Sequence, residues 1–484
     1  MTLDLENLTI GSIHSGYKSG EFTCEELTRA YLAQIAAHNE ELNAYLTVDS
    51  EGAIERAKEI DVDISRKVKA GEEFLPLEGV PCGLKDIYAS QGMRTTNGSK
   101  ITKNMISPYD ATATKRLKDA GVVILGKQNM DEFACGASTE HSAFGVTKNP
   151  YDLTRVAGGS SGGGASATAK GMAVFSMGTD TGGSIRQPAS FCNLVGLKVT
   201  YGRVSRAGVT SMASSYDTIG HFSLTVEDSA RVLQVTAGKD EYDSVTPDKE
   251  VPNYLEALGQ DVKGLKIGVP KEYFEDGIDE ETKIRVKEQI GKLKAMGAEV
   301  IEVSLPTTKY AMAVYYILSP TELSANLARF DTIRYGSKPE GQTKDLYDYY
   351  CSGREAGFGD EIKRRIMIGT YVSSSGYVDA YYKKAQKVRT VIINDFNKVF
   401  ETVDVLIAPV TPTPAFKIGE KSNDPVAMYM ADALVSPASC AGLSAMSVPS
   451  GFNLEGLPIG TQIIAPQFRE DLLFRVGSKI EDRG

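Results

Sequence analysis

Apolar and polar positions along this chain predict helices first, and then strands that alternate with helices. Thr23-Cys24-Glu25-Glu26 has the form of a capping box, and apolar residues follow it at helical spacing as far as Ile35. A second amphipathic helix is predicted from about 52 to 68. We therefore expect residues 1–70 to form a helical part that packs on the rest of the chain.

From Pro76 onward, short apolar runs alternate with amphipathic stretches, which is typical of an α/β sheet. We expect one α/β domain, with residues 71–484 as its main part, built on a mixed, largely parallel, twisted sheet with helices on both faces. Strands are predicted at 77–84, 122–126, 172–177, 265–269, 299–303, 405–408 and 459–465, and helices at 110–120, 281–296, within 310–385 and at 470–480.

The stretch from Arg155 to Pro188 combines a predicted buried strand with two clusters of glycine and serine, 158–163 and 181–184. Glycine weakens helices and strands because it loses the most conformational freedom on folding. So many glycines around an apolar strand indicate a structural need, such as a positive φ or a backbone that approaches a ligand closely. A flexible linker would not be built around such a strand.

Three chemical interpretations compete for these clusters. A phosphate-binding P-loop requires a lysine that neither cluster has. A nucleophile elbow, G-x-S-x-G, is formally present at 158–162, but a poor strand precedes it and His221 is the only histidine after it. In the third interpretation Ser184 is a nucleophile and consecutive backbone N–H groups form an oxyanion hole. These N–H groups belong to Thr181, Gly182, Gly183 and Ser184.

A serine nucleophile needs a base, and none of the four histidines has a recognisable catalytic context. A lysine can serve where burial disfavours its charged form. Lys85 ends a short apolar run flanked by glycine and proline, where a long charged side chain has no obvious surface role. We therefore consider Lys85 the candidate base.

These motifs together resemble the amidase signature family of serine amidohydrolases. The similarity rests on GGSSGG, GTDTGGSIR and the upstream GLKD, and it extends over nearly the whole chain. It implies a triad in which Lys85 is the base, Ser160 is a relay serine next to a cis peptide bond, and Ser184 is the nucleophile. The spacings agree with the family: Ser184 follows Ser160 by 184 − 160 = 24 residues and Lys85 by 184 − 85 = 99.

Within that family, residues 196–206 and 212–217 are similar to the glutamine-hydrolysing subunits of aminoacyl-tRNA amidotransferases. This resemblance implies release of ammonia from glutamine for the amidation of Glu-tRNA(Gln), Asp-tRNA(Asn) or both. Two positions depart from the pattern: Ala157 stands where proline is usual, and His221 lies in GHFSLTVED. Neither belongs to the triad.

The same resemblance implies a pocket for the amino-acid part of glutamine. Arg365 would hold the α-carboxylate, Asp432 would accept from the α-ammonium group, and Tyr316 would contact the same amino acid. Arg364 and Tyr315 remain open as alternatives to their neighbours.

The implied partners are a B subunit, which would use ATP and Mg²⁺ and contact most of the tRNA, and a small C subunit. No cofactor or metal is implied for this chain itself. Two other functions remain open, a stand-alone amidase and a non-catalytic scaffold subunit. The scaffold is disfavoured because all three triad positions carry reactive residue types.

Composition and charge bear on the binding partners of the protein and on its cellular compartment. A net charge of −10 argues against electrostatic binding of nucleic acid by this chain alone. The six cysteines are scattered without a CxxC pair, which indicates free thiols in a reducing compartment. The sequence MTLDLENLTI lacks the features of a signal peptide, and no apolar run approaches the length of a membrane span. We expect a cytoplasmic protein without membrane contact.

Overall fold

The computed structural model describes residues 3–339 and 341–484. Its strands belong to one eleven-stranded sheet. The strands are β1 Tyr45–Val48, β2 Pro81–Lys85, β3 Val123–Gln128, β4 Phe175–Thr179, β5 Val195–Lys198, β6 Ile219–Ser223, β7 Lys266–Pro270, β8 Glu299–Val303, β9 Val405–Pro409, β10 Ser444–Phe452 and β11 Pro458–Ala465.

The helices precede, separate and follow these strands. They are α1 Ile10–Ser19, α2 Cys24–Leu42, α3 Ser50–Ala70, α4 Thr112–Asp119, α5 Gly162–Ala169, α6 Arg186–Phe191, α7 Val226–Thr236, α8 Glu280–Ala295, α9 Ala311–Leu327, α10 Leu346–Gly357, α11 Asp360–Ser373, α12 Tyr382–Val399, α13 Pro425–Met430, α14 Ser436–Cys440 and α15 Glu470–Ile480.

The predicted α/β fold with a mixed sheet is confirmed. The strand order is β1-β3-β2-β4-β6-β5-β10-β11-β9-β7-β8. Parallel pairing is confined to two blocks, β3-β2-β4 and β9-β7-β8, and the strands between these blocks pair antiparallel. The centre of the sheet is thus more antiparallel than the sequence suggests. Strands β5, β6 and β10 were not predicted, because their small and polar residues are not typical of buried strands.

The N-terminal part supplies helices, as predicted, together with one strand that was not predicted. The capping box at the start of α2 is formed in both directions between Thr23 and Glu26. Between α2 and α3 the chain forms β1, which pairs antiparallel with β3 at the edge of the sheet. Residues 1–70 therefore contribute to the sheet as well as packing on it.

The interior of the sheet is covered on both sides. Every residue of β2, β3, β4, β5 and β6 is buried, although successive side chains of a strand point to opposite faces. Polar groups in these strands must therefore find partners inside the protein. Lys85 is the last residue of β2 and is 1% exposed.

Candidate active site

Lys85 is surrounded by hydroxyl groups. Its Nζ lies 2.8 Å from each of three oxygens, Ser160 Oγ, Ser161 Oγ and Thr179 Oγ1. Ser161 also donates to the carbonyl oxygen of Thr179 at 3.2 Å. Two strands and the first glycine cluster thus bring one amine and three hydroxyls together, with no carboxylate of the described residues hydrogen-bonded to the amine.

The environment of Lys85 favours its neutral form. Burial lowers the pKa of Lys85 from 10.5 to about 7, and the more distant Asp131, Asp180 and Asp217 oppose this shift only in part. A neutral amine has two N–H donors and one lone pair, so one of the three neighbouring hydroxyls must donate to it. Lys85 can therefore accept a proton from a serine.

The segment that carries Ser160 is fixed by its neighbours. The Gly159–Ser160 peptide bond is cis, as the family resemblance implies for the first serine. The amide of Gly159 donates to the side chain of Gln187 at 3.0 Å, and the amide of Asp131 donates to the carbonyl oxygen of Ser160 at 3.2 Å. Gly158 has φ +85° and no room for a side chain, since a Cβ there would lie 2.5 Å from Gln187 Oε1.

The second glycine cluster follows β4 and presents free backbone donors. The N–H groups of Thr181, Gly182, Gly183 and Ser184 donate to no described residue. Gly183 has φ +146°, and a Cβ on it would lie 2.2 Å from Val435 Cγ2. Consecutive free N–H groups in a tight loop are suited to an oxyanion.

A buried ion pair braces this loop. Asp180 accepts from Arg186 Nε and Nη2, both at 2.9 Å, and both side chains are fully buried. Arg186 also donates to Gln462 Oε1 at 2.6 Å and to the carbonyl oxygen of Val435 at 2.9 Å. Burial opposes ionisation, but Arg186 outweighs it and lowers the pKa of Asp180. The two ends of the loop are therefore held to each other and to β11.

Ser184 lies in the same loop and is 5% exposed. Its hydroxyl makes no hydrogen bond to a described residue, including Ser160. The structure thus joins Lys85 to Ser160 directly, and it leaves the hydroxyl of Ser184 free beside the unpaired N–H groups.

Arg365, which the resemblance implies as a carboxylate ligand, is 3% exposed on α11. Its Nε donates to Glu361 Oε1 at 2.8 Å, and its two terminal amino groups donate to no described residue. Arg364, the alternative, is more exposed and pairs with Glu361 Oε2. Of these two arginines, Arg365 is therefore the buried one, and its terminal amino groups are unpaired.

Asp432 is the residue that the resemblance implies as the partner of the α-ammonium group. It is 3% exposed, and its Oδ1 has no hydrogen-bond partner among the described residues. A Cβ on Gly183 would lie 3.1 Å from this oxygen, so Asp432 adjoins the loop that carries Ser184. Burial, reinforced by Asp180, raises the pKa of Asp432 well above its ordinary value, while Arg186 and Arg365 oppose the rise.

Both candidate tyrosines lie near these groups, in different places. Tyr316 stacks on Tyr429 with a centroid distance of 3.8 Å, and the guanidinium of Arg365 lies 5.2 Å from the Tyr316 ring. Tyr315 instead faces the second glycine cluster, because a Cβ on Gly182 would lie 2.7 Å from its ring. A cleft of about 400 Å³ opens beside Glu361 and Arg364, and its lining includes neither tyrosine, nor Arg365, nor Asp432.

Sequence reasoning missed four contributors to this region. Ser161 and Thr179 complete the surroundings of Lys85, whereas Glu361 and Tyr429 support Arg365. The second serine of GGSSGG was a visible signal for Ser161. Glu361 is four residues before Arg365, the spacing at which helical side chains meet, and that signal was also present in the sequence.

Residues 3–339 and 341–484 contain neither a metal-binding cluster nor a membrane-spanning helix. No group of three or more His, Cys, Asp or Glu side chains there could hold a metal ion. No helix in the same residues is long and apolar enough to cross a bilayer.

Comparison with known proteins gives consistent matches. The sequence profile of the Amidase family matches residues 26–474. The A subunit of glutamyl-tRNA(Gln) amidotransferase from Geobacillus thermodenitrificans is 52% identical over 479 residues, which cover 99% of this chain and 98% of that protein. The crystal structure of the A subunit of the enzyme of the same name from Thermotoga maritima is 38% identical, with a TM-score of 0.80 over 99% of this chain and 95% of that one. A protein from a vestigial complex that reveals the origins of an s-triazine catabolic enzyme is 32% identical, with a TM-score of 0.86 over 99% of both chains.

Proposed function

Because the chain belongs to the Amidase family, we propose that it is the glutamine-hydrolysing subunit of an aminoacyl-tRNA amidotransferase. In this role it releases ammonia for the conversion of Glu-tRNA(Gln), Asp-tRNA(Asn) or both to the amidated forms. Lys85 with its three hydroxyl neighbours, next to the free N–H groups of 181–184, supports the chemistry most directly.

The reaction begins with proton transfer toward Lys85. Neutral Lys85 takes a proton from Ser160, and Ser160 takes one from Ser184, whose oxygen attacks the side-chain amide carbon of glutamine. The Ser160–Ser184 hydrogen bond forms when substrate brings the groups together, since catalytic hydrogen bonds are often long in a free enzyme.

The N–H groups of 181–184 then hold the negative oxygen of the tetrahedral intermediate. The proton returns along the same relay to the leaving nitrogen, ammonia departs, and an ester joins Ser184 to the glutamyl group. Water attacks this ester through the same residues and releases glutamate. Each of these steps is assigned to side chains and backbone groups of this chain, without a cofactor.

Arg365 and Asp432 recognise the two charged groups on the α-carbon of glutamine. The unpaired terminal amino groups of Arg365 match a carboxylate in a bidentate geometry, and the unpaired oxygen of Asp432 accepts from the ammonium group. The ammonium charge also restores the ionised form of Asp432, whose pKa burial raises. Both charged groups are on the α-carbon, so the side-chain amide at the other end of glutamine is free to reach Ser184, whose loop Asp432 adjoins at Gly183.

The ammonia serves a reaction on a partner. A B subunit binds most of the tRNA and uses ATP and Mg²⁺ to activate the misacylated end, and a small C subunit braces the pair. The assembly acts in the cytoplasm. The Geobacillus and Thermotoga relatives are each named as the A subunit of an amidotransferase, which supports a multi-subunit enzyme.

The test is the replacement of Arg365 by alanine in the assembled enzyme. Loss of one partner of a buried charge-assisted contact costs about 2–5 kcal/mol, or roughly 30- to several-thousand-fold in affinity. The KM for glutamine should rise accordingly, while transamidation with free ammonia stays nearly unchanged because ammonia bypasses the pocket. Lys363→Ala is the matched control, since this neighbour is half-buried and pairs with Asp360 on the same helix.

Other results of these measurements would contradict the proposal. An unchanged KM in Arg365→Ala would mean that Arg365 and Asp432 do not form the clamp that holds glutamine. Parallel loss of the ammonia-driven reaction would mean that Arg365 holds subunits together. Hydrolysis of simple amides at full rate without partner subunits would favour a stand-alone amidase, and absence of any glutaminase activity would favour a scaffold.

A further inference from the structure

Glu361 is a buried carboxylate whose two oxygens are both engaged at the amino-acid pocket. It is 5% exposed in the first turn of α11. Oε1 accepts from Arg365 Nε at 2.8 Å and from the Tyr429 hydroxyl at 2.9 Å, while Oε2 pairs with Arg364. The positive charge of Arg365 outweighs burial and lowers the pKa of Glu361. Glu361 therefore contacts Arg365 and a second element of the pocket at once.

Tyr429 is that second element. Its ring stacks on Tyr316 with an interplanar angle of 18°, and the guanidinium of Arg365 lies 5.5 Å from its centroid. It belongs to α13, and the backbone N–H of Asp432 donates to its carbonyl oxygen at 3.1 Å. A chain of contacts thus runs from Arg365 through Glu361 and Tyr429 to the segment that carries Asp432.

We propose that Glu361 is a positioning residue that orients Arg365 toward the α-carboxylate and, through Tyr429, sets its place relative to Asp432. This inference rests on the proposed glutamine clamp. Glu361 occupies the Nε edge of the guanidinium, and the two terminal amino groups keep no partner among the described residues. A guanidinium is planar and presents its donors in a fixed fork, so holding one edge determines the direction of the others.

A purely electrostatic role and an orienting role of Glu361 predict opposite changes in the KM for glutamine when Glu361 is replaced by glutamine. If Glu361 only neutralised Arg365, its removal would strengthen the attraction for a carboxylate and lower the KM for glutamine. If Glu361 orients Arg365, the KM should rise, because a mispointed fork loses part of a charge-assisted contact. Hydrogen bonds to charged groups contribute about 1.5–3 kcal/mol, so we expect a rise of about ten- to a hundred-fold.

The experiment measures glutamine hydrolysis by the assembled enzyme with Glu361→Gln, Arg365→Ala and the double variant. We expect a raised KM and a nearly unchanged kcat for Glu361→Gln, and no further rise when Glu361→Gln is added to Arg365→Ala. Asp360→Asn is the matched control, because it removes a negative charge from the same helical turn with a side chain that is 95% exposed. Tyr429→Phe keeps the stacked ring and removes only the hydroxyl, so its KM should rise a few-fold.

The outcomes separate the positioning role of Glu361 from the binding role of Arg365. A lowered or unchanged KM in Glu361→Gln, with a raised KM in Arg365→Ala, overturns the positioning role and leaves the clamp intact. An unchanged KM in Arg365→Ala overturns the clamp itself. Additive effects in the double variant, or equal losses of kcat and of ammonia-driven activity, would mean that Glu361 supports the fold. If Glu361→Gln does not fold, an unchanged KM in Tyr429→Phe is sufficient to refute the coupling.

Discussion

Lys85 makes the unfolding free energy of the protein depend on pH. Comparison with Lys85→Met isolates this contribution. Burial lowers the pKa of this lysine from 10.5 to about 7. One pKa unit corresponds to about 1.4 kcal/mol, so a charged Lys85 costs the folded protein about 5 kcal/mol relative to the unfolded chain. Methionine has a similar length and no charge, so it avoids this cost at every pH.

The sign follows from the two protonation states. Below about pH 7 Lys85 is protonated in the folded and the unfolded chain, and the folded state carries the full cost. Above the ordinary pKa of 10.5 it is neutral in both, and the cost disappears. Between these limits the unfolded chain binds more protons. The unfolding free energy of the wild type should therefore rise relative to Lys85→Met by about 1.4 kcal/mol per pH unit.

Urea unfolding of both proteins at intervals of about one unit, from about pH 6 to about pH 9, measures this difference. Other titrating groups are present in both proteins, so they cancel to first order. Glutamine hydrolysis by the wild type should fall about ten-fold per unit below about pH 7 as the base becomes protonated. Lys85→Arg should be inactive throughout, since arginine keeps its proton. A stability difference that is constant over this range would refute the neutral lysine, and an active Lys85→Arg would refute its role as base.

Further predictions concern the two glycine clusters. Ser184→Ala should abolish glutamine hydrolysis with unchanged unfolding free energy, because its hydroxyl makes no hydrogen bond to a described residue; ammonia release near the wild-type rate would exclude Ser184 as the nucleophile. Ser160→Ala should be severely impaired in the same assay, and a neutral effect would leave a Lys–Ser dyad. Gly183→Ala should lose both activity and stability, since φ +146° and the neighbouring side chains exclude a Cβ; circular dichroism and rate measurements would contradict this if both matched the wild type. Asp180→Asn should lower the unfolding free energy by about 3–5 kcal/mol, because it leaves the buried Arg186 without its counter-charge, and a loss below about 1 kcal/mol in urea would count against the brace.

The sequence predicted those helices whose stabilising contacts lie close together along the chain. The capping box of α2 joins residues three positions apart, and both of its hydrogen bonds are formed. The helix predicted at 470–480 is α15, with the same ends. In both cases the stabilising contacts and the apolar stripe lie within one short segment, so no distant residue was needed to recognise them.

The centre of the sheet depends on distant partners, and the sequence did not predict it. Strand β5 pairs with β10, and the register joins Gly196 to Ser447. Glycine and serine are poor strand formers, but a Cβ on Gly196 would lie 2.4 Å from the Cβ of Ala189. Close packing of α6 on β5 therefore requires glycine at position 196, and this glycine is what makes β5 hard to recognise as a strand in the sequence. Tyr429 and Glu361 escaped prediction for a similar reason, since 68 residues separate them.

Lys85 and Lys198 show what a short motif leaves undecided. Each follows Gly-Leu at the end of a strand, in GLKD and in GLKV, and burial lowers the pKa of both to about 7. Lys198 Nζ lies 2.8 Å from the carbonyl oxygen of Leu443 and 3.2 Å from that of Val199. Carbonyl oxygens have no proton to give, so a neutral Lys198 has nothing to deprotonate. Lys85 differs because its neighbours are hydroxyls, which carry protons that a neutral amine can accept. A lowered pKa therefore makes a lysine available as a base, and the serines of a cluster about 75 residues away along the chain decide which lysine can act as one.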